Sequence, residues 1–267
     1  MSLKSISLAI VATTLLAVTA ALPTAANATI VRVETVVGDF DINLYDNATP
    51  ATVTNFLDYV QNADFSDSIF HRSVANFIVQ SGGFRTDLNA EITSITTNPA
   101  VTNEPVYSSI RGTIAMAKLG NDPNSATSQW FINLANNAAS LDSQNGGFTV
   151  FGEVTGSGMD VVDAIAALPK FAFAPPFGEL PLQNYSSTDL SNGVAVDNTH
   201  LIIVTAITVI DSTPDSAGAA NLNPTPTTAA GTGGGTIPPP ADGGGGGGAL
   251  SLLALLGLIL VNRKRFI

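Results

Sequence analysis

The runs VRVETVV and FDINLY face each other across Gly38-Asp39, and in the second run Phe40, Ile42 and Leu44 alternate with Asp41, Asn43 and Tyr45. A period of two around a Gly-Asp pair is the pattern of a half-buried β-hairpin. It commits the chain from the outset to a sheet with one face in the core. Only two later stretches carry the helical period. In the first, Thr49 stands at a cap position, Pro50 at the first helical position, and Val53, Phe56, Leu57 and Val60 fall at i, i+3, i+4 and i+7. In the second, Met159 to Leu168, the apolar side is Val161, Ala164, Ile165 and Leu168. The remainder is short β runs separated by Gly, Asn, Asp and Pro, ending in the strand LIIVTAITVI. Two helices against many strands predict an all-β barrel or sandwich with covered ends.

Segments of other character flank this part. Residues 1–28 hold Lys4, an apolar run from Ile6 to Leu22, and Ala26-Asn27-Ala28, the small-x-small pattern of a signal-peptidase site. They read as a signal peptide that leaves Thr29 first; a retained anchor is the alternative. Residues 29–211 form the folded domain. Residues 212–248 are rich in Pro, Gly, Thr and Ala, cannot offset the entropy of folding, and read as a disordered linker. In residues 249–267 the apolar run ALSLLALLGLILV precedes Asn-Arg-Lys-Arg. As a helix that run reaches about 20 Å against a hydrocarbon core of about 30 Å, and its basic end favours the cytoplasmic side. Glycine run, short apolar helix and basic end together resemble the GlyGly-type C-terminal sorting signals of Gram-negative bacteria, whose tails are removed during surface sorting. A plain membrane anchor is the alternative. The tail is therefore expected to engage a membrane or a sorting protease.

Charge narrows the partners. The chain carries −11, and setting aside Lys4 and the cations at Arg263, Lys264 and Arg265 leaves the central body at −15. Such a body repels nucleic-acid phosphates and anionic membrane surfaces. The absence of cysteine excludes disulfides, thiol catalysis and thiolate metal sites. His71 and His200, the two histidines, lack the spacing of metal ligands. No phosphate-binding G-x-x-x-x-G-K-[ST] occurs, and TGSGM lacks the G-x-S-x-G of a hydrolase elbow.

Against this acidic background FHRSVANFIVQSGGF, Phe70 to Phe84, places Arg72 among apolar residues. Strand parity predicts that Phe70, Arg72 and Val74 share one face, and that Phe77, Val79 and Ser81 alternate with Ile78 and Gln80. A lone arginine of this kind is ordinarily snorkelling or salt-bridged. A second segment, Arg111 to Val154, adds apolar, aromatic and amide residues between two β runs, with Phe131 on one parity and Trp130 on the core parity. Gly82-Gly83 and Gly146-Gly147 read as turns. The loop from Lys170 to Asn198, with Phe171, Phe173 and Phe177, is long for a compact domain and reads as packing over one end, client recognition being the alternative.

The pattern FHR-x-x-x-x-F-x-x-Q-x-G-G-F, followed by GTIAMA, SATSQWFI, LD and VFGEV, resembles the cyclophilin family of peptidyl-prolyl cis-trans isomerases in its bacterial exported form, and the matches run in order from about Ile30 to Asp211. The resemblance implies a closed eight-stranded antiparallel β-barrel capped by two α-helices. It implies a catalytic role for Arg72, walls of a proline pocket at Phe77, Ile78, Phe131 and Leu141, and polar groups beside the peptide at Gln80 and Gln129. Ala117 and Lys118 match the stretch whose backbone pairs with the peptide, and Phe148 and Ser140 stand on the rim. Lys118 departs from a common asparagine, a change that a backbone contact should survive; Phe148 departs from a common histidine and Ser140 from a common aromatic residue, departures that weaken the rim and bear on ligand specificity.

The expected protein is thus an exported, monomeric prolyl isomerase that needs no cofactor or metal and acts on proline-containing segments of unfolded or exported proteins, in the periplasm or at the surface of a Gram-negative cell. The rival reading is a non-catalytic module that holds such segments on the same fold.

Overall fold

The computed structural model describes residues 29–212 and Thr227. The expected signal peptide, the apolar C-terminal run and all of the expected linker but residue 212 and Thr227 lie outside them. The strands are β1 (Ile30–Thr35), β2 (Phe40–Leu44), β3 (Ser68–Ile69), β4 (Arg72–Val74), β5 (Ile78–Ser81), β6 (Phe84–Arg85) and β7 (Thr93–Ser94). There follow β8 (Thr113–Met116), β9 (Trp130–Asn133), β10 (Val150–Val154), β11 (Lys170–Phe171), β12 (Leu180–Pro181) and β13 (Ile203–Asp211). The helices are α1 (Pro50–Gln61), α2 (Ala138–Leu141), α3 (Gly158–Ala167) and α4 (Ser187–Ser191).

Eleven strands form one antiparallel sheet in the order β4-β5-β9-β8-β10-β2-β1-β13-β3-β6-β7, and β11 pairs separately with β12. This corrects the expectation of a closed eight-stranded barrel: the sheet is a curled half-barrel whose terminal strands, β4 and β7, do not pair with each other. The reason lies in two broken runs. Residues 68–74 pair with β13 and β6 through β3, then with β5 through β4. Residues 78–85 break likewise at Gly82-Gly83. The sheet turns a corner there, and covalent chain rather than a ladder links its two ends. The glycines are forced by close approach: a Cβ on Gly82, at φ +76°, would lie 2.4 Å from the Ser128 carbonyl oxygen, and one on Gly83 would lie 2.8 Å from Gln129 Cδ. They are thus corner residues and not simple turns.

The opening hairpin forms, but its ladder stops at Val33 opposite Phe40, so the connection is longer than the two-residue turn expected. Thr35 Oγ1 donates to the Gly38 carbonyl at 2.6 Å across it. Helix α1 begins at Pro50 as its sequence demands. Thr49 does not cap it, since its hydroxyl turns back to the Tyr45 carbonyl. The Glu104 carboxylate caps it instead, accepting from the N–H groups of Ala51 at 3.3 Å and Thr52 at 2.9 Å, where the helix dipole also favours an anion. In α3 the stripe is rotated from expectation: Val162 and Ile165 are buried while Ala164 is exposed. Both helices press on the main core, where Phe56, Tyr59, Val162 and Ile165 join the inner sheet residues Val31, Ile42, Ile114, Trp130 and Ile132.

The segment 170–198 packs rather than dangles. Phe171, Leu180, Leu182 and Tyr185 bury against Ile69, Phe84, Leu201 and Ile203, and Phe177 meets Phe84 edge to face at 5.0 Å. Thr227 is buried, and its N–H donates to the Val106 carbonyl at 2.9 Å. Among the described residues no helix is long and apolar enough to cross a membrane.

Candidate active site

The outer face of β4, β5, β9 and β8 carries a third, smaller apolar cluster: Ile78, Ala115, Ala117, Phe131, Leu141 and Val150 are buried in it with Tyr45, and Phe77 and Phe148 pack at its margin. Strand parity produces it. On β9, Trp130 and Ile132 enter the main core and Phe131 faces out; on β5, Val79 enters the core and Ile78 faces out. Phe70 departs from the expected parity. It lies in the main core while Arg72 faces the outer pocket, because the corner at Phe70-His71 separates β3 from β4.

Part of this outer cluster lines an open pocket of about 160 Å³, smaller than the roughly 300 Å³ at which sites for whole small molecules begin and suited to a single side chain. Arg72, Phe77, Ile78, Gln80, Ala117, Lys118, Phe131, Leu141 and Phe148 all contribute to its wall. Gln129 does not; its Oε1 accepts from Gln80 Nε2 at 2.8 Å and so fixes the orientation of Gln80. Arg72 and Gln80 stand opposite each other in the β4–β5 ladder, as do Gln80 and Phe131 in the β5–β9 ladder. Three adjacent strands thus set guanidinium, amide and phenyl ring in one row. The β4–β5 turn places Phe77: Asn76 takes a left-handed φ of +56°, and the Phe77 carbonyl accepts from Leu134 N–H at 2.8 Å and Asn137 Nδ2 at 2.9 Å.

The rim is formed by Gly120, Asn121, Gln144 and Asn145, which carry no chemical signature in the sequence. The one hint is conformational, since Asn121 and Asn145 both adopt positive φ in polar loops. Lys118 binds this rim together. Its ammonium donates to the carbonyls of Asn145, at 2.8 Å, and Gly147, and sits 4.7 Å over the Phe148 ring. Burial pulls its pKa down to about 8, with Asp122 opposing the shift. Phe148 in turn meets Phe131 edge to face at 5.7 Å. Ser140 is exposed on α2, its hydroxyl returned to the Asn137 carbonyl, and takes no part in the wall.

Arg72 is mostly buried, and its Nε donates to Glu179 Oε2 at 3.0 Å. His71 points away, its ring edge to face with Phe84 at 5.0 Å. Burial pushes its pKa down to about 4, so it is neutral at pH 7. Among the described residues no group of three His, Cys, Asp or Glu could hold a metal ion.

Comparison with known proteins agrees with this geometry. Residues 30–185 match the family described as cyclophilin type peptidyl-prolyl cis-trans isomerase/CLD. A peptidyl-prolyl cis-trans isomerase of Acinetobacter baylyi is 42% identical over 146 residues, 54% of this chain and 76% of that protein. Peptidyl-prolyl cis-trans isomerase A of Dickeya dadantii is 40% identical over 57% of this chain and 80% of its own length, and isomerase B of Escherichia coli 39% over 48% and 78%. In fold, the chain is similar to a cyclophilin type isomerase of Cryptosporidium parvum, with a TM-score of 0.50 and 23% identity over 70% of this chain and 99% of that one. With a family match over more than half its length and an outer-face pocket joining arginine, glutamine and phenylalanine, the chain belongs to the cyclophilin-type peptidyl-prolyl cis-trans isomerases.

Proposed function

We infer that Arg72 is the catalytic residue of this isomerase and that Phe77, Ile78, Phe131 and Leu141 hold the prolyl ring while the preceding part of the peptide turns. The observation that carries this is the convergence of one guanidinium and an apolar pocket of single-ring size. Rotation about an X-Pro bond meets a barrier of roughly 18 to 20 kcal/mol because amide resonance holds it planar. In the twisted transition state the prolyl nitrogen recovers its lone pair and accepts a hydrogen bond that the planar ground state does not. Arg72 then stabilises the transition state preferentially. Shortening tens of seconds to milliseconds requires about four decades, or roughly 5.5 kcal/mol. One charged hydrogen bond supplies about 1.5 to 3 kcal/mol. The rest falls to the gripped ring and to the low dielectric that Phe77 and Phe131 create around the guanidinium. The Ala117 N–H already donates to the Gln129 carbonyl at 2.9 Å, so a peptide strand would pair with the Ala117 carbonyl.

The clients we propose are exported proteins, met by a monomer in the periplasm or at the surface of a Gram-negative cell. The Ala-Asn-Ala pattern before Thr29 and the glycine-rich, apolar and basic C-terminal sequence support this; mass spectrometry of the mature protein should begin at Thr29, and an intact residue 1 would overturn signal-peptide cleavage in favour of a retained anchor.

The catalytic assignment is tested by cis/trans exchange NMR on a proline peptide. Arg72→Ala and Arg72→Lys should stay folded by circular dichroism and lose about one to two decades of turnover, the lysine failing because it keeps the charge but not the planar fork. Folded Arg72→Ala exchanging the peptide as fast as the parent would refute the assignment.

A further inference from the structure

Segment 170–198 reaches the reacting edge of the site at one side chain. Glu179 accepts from Arg72 Nε at 3.0 Å, 107 positions away in sequence. We propose that Glu179 is a positioning residue for the isomerase reaction, holding the Arg72 guanidinium at the angle from which it addresses the prolyl nitrogen; this rests on Arg72 being catalytic.

Three observations carry it. Arginine has rotatable bonds along its whole stem, and an arginine without a fixed partner loses that freedom when the transition state forms; a carboxylate on Nε pays the cost beforehand and fixes the plane of the fork. Next, the carboxylate is itself placed by backbone. The Glu179 carbonyl accepts from Ser73 N–H at 2.9 Å, immediately beside Arg72, so the segment covers the edge of β4, and Leu180 and Leu182 on its far side are buried against Ile69 and Ile203. Finally, the geometry separates anchoring from positioning. The backbone bond and the buried leucines hold the segment in place, whereas the Glu179 side chain, 43% exposed, touches Arg72 and buries little. Position 179 therefore has a side-chain task that the packing of its own segment does not explain.

The test compares Glu179→Ala, Glu179→Gln, Arg72→Ala and the double variant, with kcat and KM from exchange NMR and thermal unfolding as the folding control. Glu179→Ala should lower kcat about tenfold with KM within about twofold and melting unchanged. Glu179→Gln, whose amide oxygen still accepts from Nε, should recover much of the loss. In the Arg72→Ala background Glu179→Ala should add nothing, since the group it positions is gone. Parental kcat in Glu179→Ala, with Arg72→Ala inactive, would overturn this proposal alone; so would a fall in melting temperature with KM rising and no rescue by glutamine, the signature of a purely structural anchor. Parental kcat in Arg72→Ala would remove the catalytic reading beneath it.

Discussion

Strand β9 serves two masters: Trp130 and Ile132 lie in the main core, and Phe131 between them lies in the outer cluster. All three are at most 3% exposed, so burial does not distinguish them; what lies on the far side does. Trp130 is boxed by aromatic rings, edge to face with Phe70 at 5.7 Å and Phe56 at 6.4 Å. Phe131 has Phe148 on one side and the open pocket on the other. An inner residue fills space that nothing else can fill, whereas an outer one leaves space for a ligand. On the function proposed above, the sheet thus divides stability and binding between alternate residues of the same strands.

The division should break most visibly at Trp130. Trp130→Ala should cost about 3 to 5 kcal/mol, a large share of a typical stability of about 5 to 15 kcal/mol, and any loss of activity should follow the loss of fold. Phe131→Ala opens a space already continuous with solvent. It should cost distinctly less in urea unfolding yet raise KM for a proline peptide severalfold or more. Equal losses of stability with KM unchanged in Phe131→Ala would mean that the outer cluster is simply more core.

That division is legible in the sequence, because it rests on a period of two: parity and the family pattern around them put Phe131, Ile78 and Gln80 on the outer face and Trp130 in the core. The pattern failed where parity is interrupted. Phe70 changes face at the Phe70-His71 corner, where β3 gives way to β4, and no Gly or Pro in that run marks the break. The broken runs also explain why an open eleven-stranded sheet stands where a closed barrel of eight strands was expected. Long-range partners were equally hidden. Nothing near Glu104 announces a cap for α1, nothing near Glu179 announces Arg72, and the rim asparagines Asn121 and Asn145 look like any polar loop.

His71 sits at that corner between the two faces and sharpens the comparison through pH. Its Nδ1 is buried without a hydrogen-bond partner among the described residues, and its pKa is about 4 against an ordinary 6.5. As pH falls from 6.5 to 4 the unfolded chain takes up a proton that the native state refuses, so stability is full above pH 6.5 and declines below it, by about 3 kcal/mol in all. Urea unfolding at pH 7, 5 and 4 should show the decline in the parent and a flatter response in His71→Gln. Identical slopes in the two proteins would assign the acid sensitivity elsewhere.

Lys118 gives the smallest effect and the finest test, because it belongs to the outer face alone. It closes the rim through Asn145 and Gly147, yet carries a charge that its burial disfavours. Lys118→Met keeps the stem and removes the donors. Losing the hydrogen bonds destabilises, losing the desolvated charge stabilises, and the two should nearly cancel at pH 7, while a loosened rim should weaken peptide binding only a fewfold. The pH response separates the two contributions. With a native pKa of about 8 against 10.5, the unfolded chain holds the proton through an interval in which the native state has released it, so the parent should gain stability as pH rises from 8 toward 10.5, and Lys118→Met should lack that gain. Parallel pH curves for the two proteins, or a marked loss of stability in Lys118→Met at pH 7, would show that Lys118 supports the core as well as the rim, and that the two faces are less separate than β9 suggests.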